Sequence, residues 1–228
     1  MVEEEKSKEN KRIIRETEDG SHTLFIPEME EHYHSVKGAL QESEHVFIDA
    51  GFRQIAKAHI RILEIGFGTG LNAFLSLCAA EEMGKTIEYY TIERYPLEEE
   101  LIGKLNYGAL IAPDKKELFS ALHRLPWNSL QVVNNSFSLC KIEGDANSCP
   151  LPGEIDLVYF DAFAPEKQPE MWNISLFEKI YAATAPHALF VTYCAKGEVR
   201  RNLQSVGFRM ERLPGPPGKR HILRGERS

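Results

Sequence analysis

Short apolar runs alternate with segments rich in helix-forming residues along most of the chain. Five runs are typical of buried strands, at residues 60–65, 87–92, 137–143, 155–160 and 188–194. Because parallel strands are joined by crossover connections, usually helices, this alternation predicts an α/β fold with a parallel sheet. Residues 208–213 and 221–224 alternate around PGPPGK and predict a C-terminal antiparallel hairpin. The predicted sheet is therefore seven-stranded and mostly parallel.

The length of 228 residues suits one domain with an extension. The N-terminal segment is polar and mostly charged, which is typical of a flexible terminus. A leucine-rich stretch at 104–135, interrupted by prolines, predicts two short helices before the third strand. The predicted parts are a flexible N-terminus at 1–20 and one domain at 21–228, divided into an extension at 21–59 and a core at 60–228.

Composition narrows the class of protein. The chain is 43% hydrophobic and 27% charged, as in soluble globular proteins. No apolar run approaches the roughly 18 residues of a membrane span, and the charged start does not resemble a secretory signal. The four cysteines form no CxxC pair, so we expect neither zinc nor disulfides and predict a metal-free cytoplasmic protein.

The net charge of −7 disfavours nucleic acid as a partner, but the charge is unevenly distributed. From Lys196 to the end there are nine basic residues and three acidic ones. Such a cluster can contact phosphates despite an acidic total, although many clusters of this kind are only solvated surface.

The strand at 60–65 is followed at once by Gly66-Phe67-Gly68-Thr69-Gly70 and then by a helical segment. A glycine loop between strand and helix lets the backbone approach a ligand closely, although a tight turn without a ligand has the same pattern. The spacing GxGxG, with no P-loop lysine, disfavours a dinucleotide or a nucleoside triphosphate. Glu93 ends the second strand at the distance typical of an acid that binds ribose hydroxyls. The pattern therefore favours a nucleoside without phosphates, such as S-adenosylmethionine.

Acidic residues stand at the ends of four successive predicted strands. Glu64 lies inside the first apolar run, where an unused carboxylate is costly. Ligands of parallel sheets bind at the carboxyl ends of the strands, so we expect these acids to share one site. They are Glu64, Glu93, Asp145 and Asp161.

Several motifs together resemble a known family. EIGFGTGLN, TIERYPL, GDA and FDAFAPEKQPEMW are similar to the methyltransferase half of MnmC, a bacterial tRNA-modifying family, in its stand-alone form. The resemblance covers roughly residues 20–225, and the chain has DAFAP where the bifunctional form usually has DGFAP. It implies a class I, Rossmann-like methyltransferase that uses S-adenosylmethionine and releases S-adenosylhomocysteine.

The implied substrate is the 5-aminomethyl group of (2-thio)uridine at the wobble position of tRNA, whose amine becomes methylamino. We expect this chain to lack the flavin oxidase half and its flavin. Separate oxidase or upstream modification enzymes would then supply the aminomethyl group.

The resemblance assigns roles to individual residues. Asp161 is expected to hold and deprotonate the amine, with a helix N-cap or a turn-forming residue as the alternatives. Phe163 and Pro165 are expected to wall the amine pocket. Trp172 would flank the base, although core packing is also common for such a residue. Lys219 and Arg220 would contact tRNA phosphates unless they are only exposed surface. The expected cofactor-binding residues are Glu64, Gly66, Phe67, Gly68, Gly70, Asn72, Glu93, Asp145 and Asp161.

Three other functions remain open from the sequence. A nicotinamide-dependent oxidoreductase would need GxGxxG and a hydride-transfer dyad, and neither is visible. A catalytically inactive methyltransferase-like RNA-binding protein, or a methyltransferase that acts on another amine, would keep the same motifs. Cofactor binding distinguishes the first from the others, and turnover on hypomodified tRNA distinguishes the remaining two from the expected enzyme.

Overall fold

The computed structural model describes residues 12–228, which form two sheets and seven α-helices. A small antiparallel sheet contains β1 (Ile13–Glu16), β2 (His22–Ile26) and β3 (Glu31–His32). The strands of the large sheet are β4 (His59–Ile65), β5 (Thr86–Glu93), β6 (Leu130–Asn134), β7 (Phe137–Glu143), β8 (Ile155–Phe160), β9 (Thr184–Thr192), β10 (Phe208–Pro214) and β11 (His221–Arg227).

Helices cover both faces of the large sheet. A π-helical turn at Glu44–Asp49 continues the first helix. Short 3₁₀ turns lie at Phe52–Gln54, Pro113–Lys115 and Pro169–Met171. The helices are α1 (Ala39–Ser43), α2 (Leu71–Met83), α3 (Glu99–Ile102), α4 (Tyr107–Ile111), α5 (Lys116–Arg124), α6 (Ile174–Ala183) and α7 (Gly197–Ser205).

The strand order of the large sheet is β10-β11-β9-β8-β4-β5-β7-β6. Strands β9, β8, β4, β5 and β7 are parallel, and β11 pairs antiparallel with both β9 and β10. The five predicted parallel strands and the C-terminal hairpin are confirmed. The chain passes from β4 towards β5 and β7 and later returns to β8 on the other side of β4. The carboxyl ends of β4 and β8 are therefore the topological switch point.

The sheet has eight strands and not seven. Residues 130–134 were expected within a helical stretch, but they form β6, antiparallel to β7. Only Asn135 and Ser136 separate the two strands, and a two-residue connection joins antiparallel neighbours. The two short helices expected in the same stretch are present as α4 and α5.

Of the N-terminal segment predicted to be flexible, 1–20, the structure describes residues 12–20. Residues 1–11 lie outside the described residues. Strand β1 pairs with β2 through four residues, because its Ile13 and Ile14 offer the apolar side chains that a half-buried strand needs. The small sheet extends the folded domain below residue 21. Among residues 12–228, no helix has the length and apolar character to cross a membrane.

Candidate active site

A cavity of about 960 Å³ opens at the carboxyl ends of β4, β5, β7 and β8. The small N-terminal sheet covers one side of it through residues such as Tyr33, and the hairpin loop contributes Lys219. The expected cofactor-binding residues that line it are Gly66, Phe67, Gly68, Asn72, Glu93, Asp145 and Asp161. These seven residues lie at the carboxyl ends of the parallel strands, where sheets of this kind bind their ligands.

The glycine loop after β4 adopts left-handed backbone conformations. Gly66 has φ of 94° and Gly68 has φ of 49°. A Cβ on Gly66 would lie 2.7 Å from the carbonyl oxygen of Asp161, and one on Gly68 would lie 3.1 Å from the Tyr33 ring. The loop therefore packs directly against the turn that carries Asp161 and against the N-terminal sheet.

Glu93 fixes the glycine loop from the end of β5. Its Oε2 accepts a hydrogen bond from the Gly68 backbone N–H at 2.9 Å, and its Oε1 accepts one from Tyr95 N–H at 2.8 Å. Each carboxylate oxygen has a second lone pair, so the side chain can still accept a hydrogen bond from a ribose hydroxyl at the cavity wall.

Two of the expected cofactor residues lie behind the cavity wall. Glu64 is fully buried, accepts hydrogen bonds from Thr91 Oγ1 at 2.7 Å and Asn72 Nδ2 at 3.1 Å, and does not line the cavity. Burial raises the pKa of Glu64 well above its usual range. Gly70 faces His123, whose Nε2 would lie 2.6 Å from an added Cβ. Both residues support the glycine loop from behind. The pleat of β4 turns Glu64 away from the cavity, and the start of α2 turns Gly70 away from it.

Asn72 connects the two central carboxyl groups. Its Nδ2 donates to Glu64 Oε1 and also to Asp161 Oδ2, the latter at 2.9 Å. Its Oδ1 is buried, has no hydrogen-bond partner among the described residues and belongs to a side chain that lines the cavity. A buried acceptor without a partner is costly, so a donor group on a ligand would stabilise it.

Asp161 follows β8 directly and lies half-buried at the cavity wall. Burial raises the pKa of Asp161 to about 7, while the hydrogen bond from Asn72 opposes that rise. A carboxyl group with this pKa can exchange a proton near neutral pH. The helix-cap alternative does not hold, because Asn173 caps α6 by accepting a hydrogen bond from Leu176 N–H at 2.8 Å.

Asp145 lies at the rim of the cavity after β7. Its Oδ1 accepts from Asn147 N–H at 2.9 Å, and its Oδ2 accepts from Arg94 Nη1 at 3.0 Å. The backbone hydrogen bond from Asn147 lowers the pKa of Asp145, so the group stays ionised. A charged acceptor at this rim suits the exocyclic amine of an adenine.

The segment after Asp161 only partly matches its expected roles. Phe163 lines the cavity, with its ring 5.1 Å from that of Tyr33. Pro165 lies in a turn outside the cavity lining. Trp172 is 5% exposed and packs edge to face against Phe160 in the core, and its Nε1 donates to the Phe163 carbonyl oxygen at 2.8 Å. Trp172 therefore supports the Phe163 backbone and does not line the cavity, because its large apolar ring is more stable in the core.

Lys219 also differs from expectation. Its ammonium lies 2.5 Å from Glu42 Oε1 and 3.9 Å from the centroid of the Tyr193 ring, and the side chain lines the cavity. It is therefore part of the site wall. Arg220, the next residue, is exposed. Ion pairs engage four of the nine basic residues after residue 195, namely Lys196, Arg209, Lys219 and Arg224.

Some site residues gave no signal in the sequence. Glu42, Tyr33 and Tyr193 line the cavity, and Arg12 donates from Nε to the Tyr33 hydroxyl at 3.0 Å. They come from the N-terminal extension and from the end of β9, and only tertiary folding brings them to the acids. A short motif cannot reveal such contacts.

The residues present fit an S-adenosylmethionine molecule. The volume, the close backbone of the glycine loop, the acids at the strand ends and the unpartnered Asn72 oxygen suit a nucleoside with a cationic amino-acid tail. Among residues 12–228, no group of three or more His, Cys, Asp or Glu side chains could hold a metal ion.

Comparison with known sequences agrees with these features. Residues 123–228 match a family described as S-adenosyl-L-methionine-dependent methyltransferase. The chain is 32% identical over 212 residues to the tRNA 5-methylaminomethyl-2-thiouridine biosynthesis bifunctional protein MnmC of Pseudomonas fluorescens. That alignment covers 85% of this chain and 32% of the relative. The MnmC protein of Burkholderia multivorans is 31% identical, over 90% of this chain and 33% of that protein. The chain thus spans about a third of the length of these relatives.

Solved structures show the same likeness. MNMC2 from Aquifex aeolicus has a TM-score of 0.79 at 27% identity, over 95% of this chain and 70% of that chain. Spermidine synthase from Thermotoga maritima has a TM-score of 0.58 at 12% identity, over 95% of this chain and 69% of that chain. At that identity the second likeness concerns the fold alone.

Proposed function

We propose that this chain, which is similar to MnmC proteins and to MNMC2, methylates the amine of a 5-aminomethyl group on the wobble (2-thio)uridine of tRNA. The methyl donor is S-adenosyl-L-methionine, and the product nucleoside is 5-methylaminomethyluridine. The observation that carries the proposal is the position of Asp161, a carboxyl group able to exchange a proton near neutral pH, at the cavity wall beside the glycine loop.

The chain's own residues would hold the cofactor at the strand ends. Glu93 would accept hydrogen bonds from the ribose hydroxyls, and Asp145 would accept one from the adenine amine. Asn72 Oδ1 would accept one from the ammonium of the amino-acid tail. Bound S-adenosylmethionine supplies a methyl group that its sulfonium already activates, so orientation of the amine contributes much of the rate.

Asp161 would perform the proton transfer. A primary amine is mostly protonated at neutral pH and has no free lone pair until it loses a proton. The Asp161 carboxylate would accept that proton and later release it to solvent, a form of general base catalysis. Phe163 and Tyr33, whose rings meet edge to face, would exclude water from the amine end of the cavity.

The tRNA would contact the exposed basic residues of the C-terminal part. Arg220 and Arg201 are exposed, in the hairpin loop and on α7. Phosphate contacts position a nucleic acid without reading its sequence, which suits an enzyme that acts on one nucleoside of a folded RNA. We assign the supply of the aminomethyl group to separate enzymes.

Labelled methyl transfer tests the proposal. The parent chain, with labelled S-adenosylmethionine, should label tRNA from cells that lack the modification and should not label fully modified tRNA. Calorimetry in parallel measures cofactor binding. Binding without labelling would instead favour the inactive RNA-binding protein, and labelling of small amines but not tRNA would favour a methyltransferase for another amine.

A further inference from the structure

An ion pair between Lys219 and Glu42 lies in the wall of the same cavity as Asp161. The Lys219 ammonium lies 2.5 Å from Glu42 Oε1 and 3.9 Å from the centroid of the Tyr193 ring. All four side chains line the cavity. Glu42 is buried and Lys219 is only partly exposed, and a buried carboxylate is costly unless it is paired, so the pair needs a physical reason.

The protein fixes this lysine from both sides. In the loop between β10 and β11, the Lys219 N–H donates to the Pro216 carbonyl oxygen at 2.9 Å and the Gly215 N–H donates to the Arg220 carbonyl oxygen at 3.1 Å. Glu42 Oε2 accepts a hydrogen bond from Ser35 N–H at 2.8 Å. The positive charge is therefore held in place and is not carried by a mobile surface side chain.

The charged and titratable groups around Asp161 come from several elements. Burial raises the pKa of Asp161 and the Glu42 carboxylate adds to that rise, whereas Lys219 opposes it and is, in the described part of the chain, the one cation among the groups that act on this carboxyl group. The other groups are Glu64 on β4, Tyr89 on β5, Tyr193 after β9 and Glu42 on α1. Without Lys219, Asp161 would face only groups that are neutral or negative.

We propose that Lys219, held by Glu42, is a positioning residue that promotes proton loss from Asp161 and from the incoming amine. A nearby positive charge favours the carboxylate over the carboxylic acid, and it disfavours a second ammonium beside it. The amine proton passes to the Asp161 carboxylate and then to solvent, while Lys219 keeps its own protons and no bond to it forms or breaks. This inference rests on the proposed amine methylation and concerns how the amine becomes reactive.

The pH dependence of turnover tests it, with three variants in the intact chain. At low pH, kcat should fall as the Asp161 carboxylate becomes protonated, and we call this fall the acidic limb. Lys219→Met should move the acidic limb to higher pH by about one unit, which is the size of pKa change that a nearby charge causes. Relative to the parent, the turnover of Lys219→Met should be about tenfold lower at pH values below the limb and equal at pH values above it. Lys219→Arg keeps the charge and should restore the parental limb. Glu42→Gln removes a negative neighbour of Asp161 and should move the limb to lower pH. Opposite shifts from the two partners of one ion pair would not arise from a purely structural role.

A matched control is available in an exposed lysine–glutamate pair. Lys104 Nζ lies 2.6 Å from Glu100 Oε1, away from the cavity lining, so Lys104→Met should leave the pH profile unchanged. Shifts in the same direction for Lys219→Met and Glu42→Gln, or a loss of turnover that is equal at all pH values, would overturn the inference.

A second measurement needs no turnover. Carboxyl ¹³C NMR of labelled aspartate, with Asp161→Asn to assign the signal, should show a higher pKa for Asp161 in Lys219→Met than in the parent chain. If the parent fails to methylate tRNA, the proposed function fails while this titration still tests the charge effect. If the parent is active and neither the limb nor the titration moves, only the role of Lys219 is wrong.

Discussion

Replacement of Gly66 by alanine should harm turnover more than the same replacement of Gly68. The added Cβ on Gly66 would lie 2.7 Å from the Asp161 carbonyl oxygen and 3.3 Å from its carbonyl carbon. Both neighbours are backbone atoms at the end of a central strand, so they can yield only if Asp161 shifts. On Gly68, the Cβ would meet ring atoms of Tyr33 at 3.1 and 3.3 Å, and a side chain can rotate away.

The expected magnitudes follow from these contacts. A non-glycine residue at φ of 94° costs about 1–3 kcal/mol of stability, and a displacement of catalytic groups by about 1 Å can cost about 10²-fold in rate. We therefore expect Gly66→Ala to lower kcat by about 10- to 100-fold and to lower the melting temperature. Gly68→Ala should lower kcat by less than about tenfold, because a φ of 49° lies in the left-handed region that other residues adopt at lower cost and because the Tyr33 ring can move.

Steady-state methylation of hypomodified tRNA measures kcat, and calorimetry measures cofactor affinity for both variants. Gly66→Ala should reduce kcat more than it reduces cofactor affinity, because the displaced group is Asp161. Equal activity of the two variants, or a Gly66→Ala protein with parental kcat, would refute the argument from the Asp161 contact.

Three further predictions concern single side chains. Asp161→Asn keeps the shape and should lower turnover by about 10²-fold or more with cofactor affinity nearly unchanged, as single-turnover assays and calorimetry would measure; near-parental turnover would contradict the role in proton transfer. Glu93→Ala removes an anchor of the glycine loop and a ribose acceptor, so calorimetry should show cofactor binding weakened by about 1–3 kcal/mol. The folded protein raises the pKa of Asp161 to about 7, so the unfolded chain binds its proton less tightly and stability falls as pH rises from about 4 to 7. Asp161→Asn has no such carboxyl group, so the free energy of unfolding of the parent should fall relative to that of Asp161→Asn as pH rises from about 4 to 7. Denaturant titrations at several pH values measure both free energies, and a difference between the two proteins that does not change with pH would contradict the raised pKa of Asp161.

Much of the central sheet could be predicted because local pattern and global fold agree there. The apolar run from Ile60 to Ile65, the glycines and the terminal acid Glu93 each act through their immediate neighbours in sequence. The rule that ligands bind at the carboxyl ends of parallel strands then placed Asp145 and Asp161 at one cavity. These are the parts of the site where short-range chemistry decides the structure.

Residues whose position depends on distant contacts could not be predicted in this way. Lys219 belongs to a basic, turn-rich segment, which favours an exposed residue, yet the hairpin carries it to the buried Glu42. Glu64 and Asp161 are both acids at the end of a strand, but Asp161 lines the cavity and Glu64 does not. The pleat of the strand decides this difference, and the sequence pattern does not show it. Trp172 ends the motif FDAFAPEKQPEMW, and its indole packs in the core.

The mass of the wobble nucleoside tests the central claim most directly. tRNA from cells that lack the modification would be incubated with the parent chain and S-adenosylmethionine, digested to nucleosides and separated by chromatography before mass measurement. We predict that 5-aminomethyl-(2-thio)uridine disappears and that 5-methylaminomethyl-(2-thio)uridine appears in equal amount, and that Asp161→Asn slows this conversion by about 10²-fold or more. An unchanged wobble nucleoside under conditions in which the chain binds the cofactor, or a methyl group on a different nucleoside, would contradict the claim.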